Sequence, residues 1–161
     1  MCRSCGGPDR RQFIAILAAL PLVAACRPQT EGPEDIRWGR ETCALCGMII
    51  SDPHFGAELR NGETAQLLKF DDLGDAVLWY QQQPWKDHPK TEFWVRDYPT
   101  GTVWLDARRA FYQSGVVSPM DYGFAAYPDA APDRVDFATM AKAVEAKGLA
   151  SGCHIPEPDA S

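Results

Sequence analysis

The chain has 161 residues, of which 45% are hydrophobic and 24% charged. This balance is typical of a globular protein and excludes wholesale disorder, collagen-like repeats and a polytopic membrane protein. One domain is expected at this length. Acidic residues outnumber basic ones by 22 to 16, for a formal net charge of −6. Since no basic excess is present to hold phosphates, we expect no nucleic-acid partner.

Residues 1–25 have the features of an export signal and are set aside from fold prediction. Arg10 and Arg11 precede 13 uncharged residues, 13–25, that contain one proline. A membrane-spanning helix needs about 20 apolar residues, so this stretch fits the apolar core of a signal peptide better than a permanent anchor. Residues 9–14 also resemble a twin-arginine export motif, which leaves the export route open between the two pathways.

The signal ends in Val23-Ala24-Ala25-Cys26, which resembles a bacterial lipobox. In that motif two small residues precede a cysteine that becomes diacylated and forms the first mature residue. The alternative is a chance cysteine after an ordinary signal peptide. Two acyl chains hold a protein stably at a bilayer, whereas one binds only marginally. We therefore predict a periplasmic protein that Cys26 anchors through lipid to a bacterial membrane.

Three parts follow in the predicted mature chain. Residues 26–40 contain two prolines and two glycines with little apolar content, which predicts a flexible tether. The folded domain is predicted to span residues 41–149. The tail, residues 150–161, contains Pro156 and Pro158 and is predicted to be mobile.

A hairpin followed by a helix is predicted at the start of the domain. Strand-like runs at 54–60 and 64–70 flank Asn61-Gly62, the pair that best supplies the positive φ angles of a tight turn. Asp71 and Asp72 can cap the next helix, which should end before Pro84. The helical spacing of its apolar positions supports this assignment; they are Leu73, Ala76, Val77 and Tyr80.

The remaining pattern predicts further strands and a last helix. The strands are predicted at 92–98, 102–106 and 122–127, with 107–113 ambiguous, and the helix at 136–147 between a cap at Asp136 and Gly148. Met140 lies on the apolar stripe of that helix and is predicted to be core. The resulting fold class is α+β, with two related β-rich halves, each with strands packed against one helix, after a lipidated N-terminal tether.

The motif Cys43-x-x-Cys46-Gly47-Met48 carries the chemistry of the chain. It places two thiols and a thioether within six residues, in a segment without a helix or strand pattern. Sulfur donors are soft ligands that favour Cu(I) and do not suit Mg²⁺ or Ca²⁺. We therefore predict a soft transition-metal site.

Three other interpretations of the two cysteines stay open. A structural disulfide fits an oxidising periplasm. A thioredoxin-type redox centre needs its CxxC at a helix start after a strand, and here a predicted tether precedes it. A zinc site would need a second pair of ligands, for which Cys153 and His154 are the candidates.

A second candidate lies in Ser118-Pro119-Met120. A methionine after proline, between predicted elements, is an unusual place for a core residue, although simple packing of Met120 against a sheet is the competing interpretation. His54 is close in sequence to the thiols, but a surface histidine at a strand start is the commoner outcome. The Asp71-Asp72 pair is interpreted as a helix cap rather than acid–base machinery.

Four segments together resemble the NosL family of lipoprotein copper chaperones, which assist assembly of the copper centres of nitrous oxide reductase. They occur in the family order: Cys43-x-x-Cys46-Gly47-Met48, Phe70-Asp71-Asp72 before a helix, residues 93–98, and Ser118-Pro119-Met120 followed by residues 122–127. The resemblance implies a membrane-tethered periplasmic protein that binds Cu(I) and passes it to the reductase maturation machinery or to the apo-reductase. The positions that match the family motifs are Cys43, Cys46, Met48 and Met120.

The predicted function is that of a metallochaperone and not an enzyme. One alternative is a thiol-disulfide oxidoreductase that uses Cys43 and Cys46, and another is a structural lipoprotein with an oxidised pair. Met48 and Met120 distinguish these functions, because thioethers help to hold copper and contribute nothing to dithiol exchange.

Overall fold

Two antiparallel sheets and two helices make up the folded part of the chain. The computed structural model describes residues 31–149. Within them the elements are β1 (Ala57–Arg60), β2 (Leu67–Phe70), α1 (Leu73–Gln81), β3 (Glu92–Arg96), β4 (Trp104–Asp106), β5 (Phe111–Ser114), β6 (Phe124–Tyr127), β7 (Arg134–Val135) and α2 (Phe137–Lys147). The sheets have the strand orders β2-β1-β3-β4 and β6-β5-β7. The predicted α+β class is confirmed.

The two sheets share one arrangement of strands. In each, the first strand lies in the centre and pairs antiparallel with the second strand on one side and the third on the other. Helix α1 contacts β1 and β2, whereas α2 contacts β5. Each sheet therefore packs against a helix, as predicted. The two helices also contact each other and join the halves around one core.

The connection between β1 and β2 is longer than the predicted tight turn at Asn61-Gly62. Residues 61–66 form the loop, and the Asn61 side chain accepts two backbone N–H groups within it. Within this loop the positive φ angle belongs to Ala65 (60°), whereas the φ angle of Gly62 is not positive. Glycine is needed at 62 because a Cβ there would lie 2.3 Å from Nδ1 of His88. A close approach of two loops thus accounts for Gly62.

Helix α1 begins and ends close to the predicted residues. Asp72 is its cap, with a side-chain oxygen that accepts the Gly74 N–H at 2.8 Å. The helix ends at Gln81, ahead of Pro84. Burial extends beyond the predicted apolar stripe around most of the helix, and the buried positions are Leu73, Gly74, Asp75, Ala76, Val77, Leu78 and Tyr80. An aspartate is therefore buried in the first turn.

The second half confirms the predicted last helix and adds a strand. Asp136 caps α2 by accepting the Thr139 N–H at 2.9 Å, and Gly148 ends it with φ of 75°. Met140 is fully buried, as predicted. Strand β5 occupies the end of the ambiguous stretch. Strand β7 was not predicted, because a two-residue strand shows no alternation of polar and apolar residues.

Residues 31–40 pack against the first sheet, so folded structure begins before the predicted start at Glu41. The Gly32 N–H donates to both carboxylate oxygens of Glu92 at 3.0 and 2.9 Å. Ile36 is only 3% exposed. Composition predicted a tether because the segment has few apolar residues, yet Ile36 and Trp38 pack on the core and backbone hydrogen bonds to sheet carboxylates hold the segment in place.

The membrane-related predictions concern other parts of the chain. The signal residues 1–25, the lipidation site Cys26 and the tail, residues 150–161, lie outside the described residues. Within residues 31–149, no helix combines the length and apolarity that crossing a bilayer requires.

Candidate metal centre

The cysteine motif forms a closed loop ahead of β1. An isolated bridge between Thr42 and Ile49 closes its ends. The Cys43 N–H donates to the Met48 carbonyl at 2.8 Å, and the Gly47 N–H donates to the Cys43 carbonyl at 3.0 Å. Gly47 has φ of 72°, in the left-handed region that favours glycine. These backbone contacts hold the cysteine motif in one compact loop.

The two thiols differ in exposure. Cys43 is buried, with 3% exposed, whereas Cys46 is half-buried at the edge of the core. Both are free thiols in this structure. The CxxC therefore lies in a loop between the N-terminal segment and a sheet, and not at a helix start as in a thioredoxin-type centre.

Asp75, in the first turn of α1, completes a group with the two thiols. Cys43 Sγ donates a hydrogen bond to Asp75 Oδ2 at 3.3 Å. One ligand atom from each of Cys43, Cys46 and Asp75 lies within 4.8 Å of the other two, and this is the group of His, Cys, Asp and Glu side chains within residues 31–149 that could hold a metal ion. The other oxygen, Oδ1, is buried and has no hydrogen-bond partner among those residues. A buried acceptor without a partner costs free energy that a bound cation would offset.

Burial sets the protonation of all three groups. It raises the pKa of Asp75 to about 6, although hydrogen bonds from the two thiols act in the opposite direction. Burial likewise raises the pKa of the Cys43 and Cys46 thiols. At neutral pH the metal-free cysteines are therefore thiols. Because metals bind the thiolate form, metal binding here releases protons.

Asp72 connects this site to a loop of the second half. Its Oδ1 accepts the Gly74 N–H, as the cap of α1. Its Oδ2 accepts the Ser118 hydroxyl at 2.5 Å and the Met120 backbone N–H at 3.0 Å. The predicted cap is confirmed for Asp72. The same carboxylate brings the Met120 loop to the end of α1 that carries Asp75.

The predicted methionine ligands lie on the two loops beside this helix end. Met120 is half-buried against the core, and Met48 is 46% exposed. Met48 and Pro119 line one open groove, together with Asp71. Gly47 and Met48 of the first motif and Ser118 and Pro119 of the second thus line a common groove, whose lining includes neither thiol nor Met120. Coordination by either thioether stays a prediction.

The histidine near the thiols in sequence is occupied elsewhere. His54 Nδ1 lies 2.6 Å from the Tyr98 carbonyl, and the two rings pack edge to face. The converging donor group found within residues 31–149 does not include it. Cys153 and His154, the alternative zinc ligands, lie outside the described residues.

Sequence reasoning did not identify Asp75 as a candidate ligand. An acidic residue in the first helical turn has an ordinary explanation, since it complements the helix dipole. One sequence feature could have indicated this ligand: three aspartates, Asp71, Asp72 and Asp75, fall within five residues, whereas a helix needs only one capping residue.

Comparison with known proteins relates this architecture to a copper protein. No protein-family model matches the chain, and no curated protein matches it significantly in sequence. Among solved structures, the crystal structure of the copper chaperone NosL from Shewanella denitrificans is similar, with a TM-score of 0.53 over 74% of this chain and 89% of that chain. Sequence identity is 17%, so the similarity concerns the fold. The converging cysteines and aspartate fit copper binding, and the chain has a NosL-like fold.

Proposed function

We propose that this protein is a membrane-anchored Cu(I) metallochaperone of the periplasm that delivers copper for assembly of the copper centres of nitrous oxide reductase. The observation that carries the proposal is the convergence of Cys43, Cys46 and Asp75 within 4.8 Å. The NosL-like fold supports it, and so does the bond from the Met120 backbone N–H to Asp72, which holds the Met120 loop against the helix that carries Asp75. The protein acts by binding and exchange, and not as an enzyme.

The donor set favours Cu(I) over zinc. Cu(I) prefers soft thiolate and thioether sulfur, whereas a structural zinc site takes four ligands of the Cys, His and carboxylate type in a tetrahedron. Within the described residues, three side chains of those types converge. Met48 and Met120 add sulfur that zinc would use poorly.

Loading and release are ligand exchange without a change in oxidation state. On loading, the Cys43 and Cys46 thiols lose their protons as Cu–S bonds form. On release, a soft ligand of the acceptor adds to the low-coordinate copper and displaces these thiolates stepwise. Cys46 is the more exposed thiol, and Met48, at 46% exposed, stands beside it on the same loop. An acceptor therefore approaches from this side.

The lipid anchor places copper transfer at the membrane surface. Diacylation at Cys26 confines the search for a partner to the membrane plane, which raises the effective concentration near the maturation machinery. Partners are that machinery, the apo-reductase, or both.

Burial argues against the rival dithiol oxidoreductase. An attacking cysteine needs thiolate character and access. Cys43 is 3% exposed, and burial raises its pKa further from the neutral range. These properties suit a metal ligand that is deprotonated only when the metal binds.

Anaerobic titration tests metal binding directly. The reduced mature lipoprotein, residues 26–161, in detergent and titrated against a calibrated Cu(I) chelator, should bind one Cu(I) and retain it in competition with Zn(II). Cys43→Ser and Cys46→Ser should each abolish tight binding, whereas Cys153→Ser serves as a cysteine control. Tighter retention of zinc, or unchanged Cu(I) binding by the first two variants, would refute the copper site.

Delivery is tested in the cell. A strain that lacks this protein should produce nitrous oxide reductase depleted of copper, and a wild-type copy of the gene should restore the metal content. A copy with Cys46→Ser should not. Full copper content in the deletion strain under copper limitation would contradict the delivery role and leave the binding site intact.

A further inference from the structure

Asp72 is a buried carboxylate that uses both of its oxygens, and it is 0% exposed. One oxygen caps α1 through Gly74, and the other accepts both the Ser118 hydroxyl and the Met120 backbone N–H. These two partners lie 46 and 48 residues away in the chain. Asp72 therefore joins the first half of the domain to the loop that carries Met120.

Capping alone does not explain a carboxylate at this position. Asp136, the cap of α2, is an exposed residue that accepts one N–H. Serine, threonine or asparagine caps a helix about as well, and burial of a charged group is costly unless hydrogen bonds compensate it. The second oxygen of Asp72 provides that compensation through bonds to the Met120 loop.

The Met120 loop, residues 117–123, has a defined shape that Asp72 holds as a unit. Ser118 donates its hydroxyl proton to Asp72 and accepts the Gly123 N–H at 3.0 Å. The Asp121 N–H donates to the Ser118 carbonyl at 3.0 Å, and Asp121 has φ of 61°. The turn is therefore closed on itself, and it is attached to α1 by hydrogen bonds to the Asp72 carboxylate and by the Tyr122 ring, which packs against Gly74.

We propose that Asp72 is a positioning residue of the copper site: with Ser118, it fixes the Met120 loop against the N-terminus of α1 and so presents the Met120 thioether to copper held by Cys43 and Cys46. This inference rests on the proposed function, with Met120 as a ligand. Asp72 itself does not touch the metal. Its effect is pre-organisation, since a loop already in place loses less freedom when copper binds.

The discriminating variant is Asp72→Asn. Asparagine keeps one carbonyl oxygen for the Gly74 N–H and remains a good cap, but its amide nitrogen cannot accept the Met120 N–H. Ser118→Ala removes the hydroxyl while the Asp72 carboxylate stays. Asp136→Asn is the matched control, because it makes the same substitution at the cap of the other helix. All are made in the mature lipoprotein, residues 26–161.

Cu(I) affinity and copper X-ray absorption are the measurements. Outer-sphere partners of metal sites typically change affinity by about 10- to 100-fold. We expect Asp72→Asn and Ser118→Ala to weaken Cu(I) binding by about tenfold or more, with the sulfur coordination number lower by one. Ser118→Thr, which keeps the hydroxyl, should retain the wild-type Cu(I) affinity and sulfur coordination number. Asp136→Asn should change neither quantity.

A double-mutant cycle shows whether Asp72 acts through Met120. In a Met120→Leu background, Asp72→Asn should cause no further loss of affinity, because the ligand it positions is already gone. Additive losses would overturn the inference, and so would an Asp72→Asn protein that binds copper like Asp136→Asn. If Asp72→Asn fails to fold, the same cycle with Ser118→Ala decides.

Failure of the proposed function can be distinguished from failure of this inference. A wild-type protein that does not bind Cu(I), or Cys43→Ser and Cys46→Ser variants that bind it normally, would refute the copper site and the inference with it. If the wild-type protein binds Cu(I), both cysteine variants lose it and Met120→Leu weakens binding, the double-mutant cycle tests only the positioning role of Asp72.

Discussion

Single residues at the metal centre are polar groups held away from water. Asp75 is fully buried and Cys43 nearly so. Their hydrogen bond keeps the thiol proton between sulfur and carboxylate oxygen. Burial of such groups disfavours their charged forms, and a bound cation reverses that preference. At the proposed copper site, metal binding is therefore expected to release the thiol protons.

Met120→Leu tests the predicted ligand from the second half. Leucine conserves size and apolarity, so a purely structural role predicts less than about 1.5 kcal/mol of lost stability and unchanged copper affinity. We expect the opposite: little change in the urea unfolding of the copper-free protein and a clear fall in Cu(I) affinity. Met140→Leu, a fully buried methionine on α2, is the control that should leave affinity unaltered.

The N-terminal segment shows how an element without regular structure is held. The Glu34 N–H donates to Glu58 Oε2 at 2.9 Å, and Lys69 Nζ donates to the Asp35 carbonyl at 2.9 Å. Glu58 is fully buried under this segment, and its Oε1 has no hydrogen-bond partner among the described residues. Burial raises the pKa of Glu58 to about 7, against the attraction of Lys69.

Glu58→Gln should stabilise the protein in a pH-dependent manner. A carboxyl with a raised folded-state pKa binds its proton more tightly when folded, so its contribution to stability is present at low pH and is lost as the pH rises from about 4.5 to about 7. The groups around Glu58 are Glu34, Lys69 and Arg96. Glutamine keeps an acceptor for the Glu34 N–H and removes the buried charge.

We expect Glu58→Gln to raise the free energy of unfolding at pH 8 by about 2 kcal/mol and by much less at pH 5. Urea unfolding at the two pH values measures this difference. Glu145→Gln, at an exposed position on α2, controls for the loss of one negative charge. An equal effect of Glu58→Gln at both pH values would show that Glu58 titrates normally in the folded state.

Several contacts join the two halves within residues 31–149, and two of them are made at helix α1 or its cap. Helices α1 and α2 contact each other, and Asp72 holds the Met120 loop at the N-terminus of α1. Folded contacts reach back to Gly32. The predicted lipid at Cys26 therefore stands only six residues before the first described contact with the sheet.

Cys26→Ser should release the protein from the membrane without altering the domain. The lipidation site precedes the residues that pack, so we expect unchanged folding and Cu(I) affinity, with the protein in the soluble periplasmic fraction. Fractionation after a high-salt wash measures this, and Cys153→Ser should stay membrane-bound. Retention of Cys26→Ser in the membrane would make the uncleaved residues 13–25 the anchor.

Regular elements were predicted well where local signals are strong. Helices α1 and α2 begin directly after their caps at Asp72 and Asp136, because capping and helical periodicity act between near neighbours in the chain. The hairpin strands were predicted too long, since Asn61-Gly62 suggested a two-residue turn. The close approach of Gly62 to His88 is long-range, and no local pattern records it.

By itself the sequence determined the soft donors Cys43 and Cys46, the α+β class and the order of elements, because motif spacing and hydrophobic periodicity are properties of neighbouring residues. Only the tertiary structure decided that Asp75 joins the thiols and that Asp72 holds the Met120 loop. Those contacts join residues 32 and 48 positions apart. Their proximity depends on how α1 packs between the two halves, which is set by burial of the whole core rather than by any one segment.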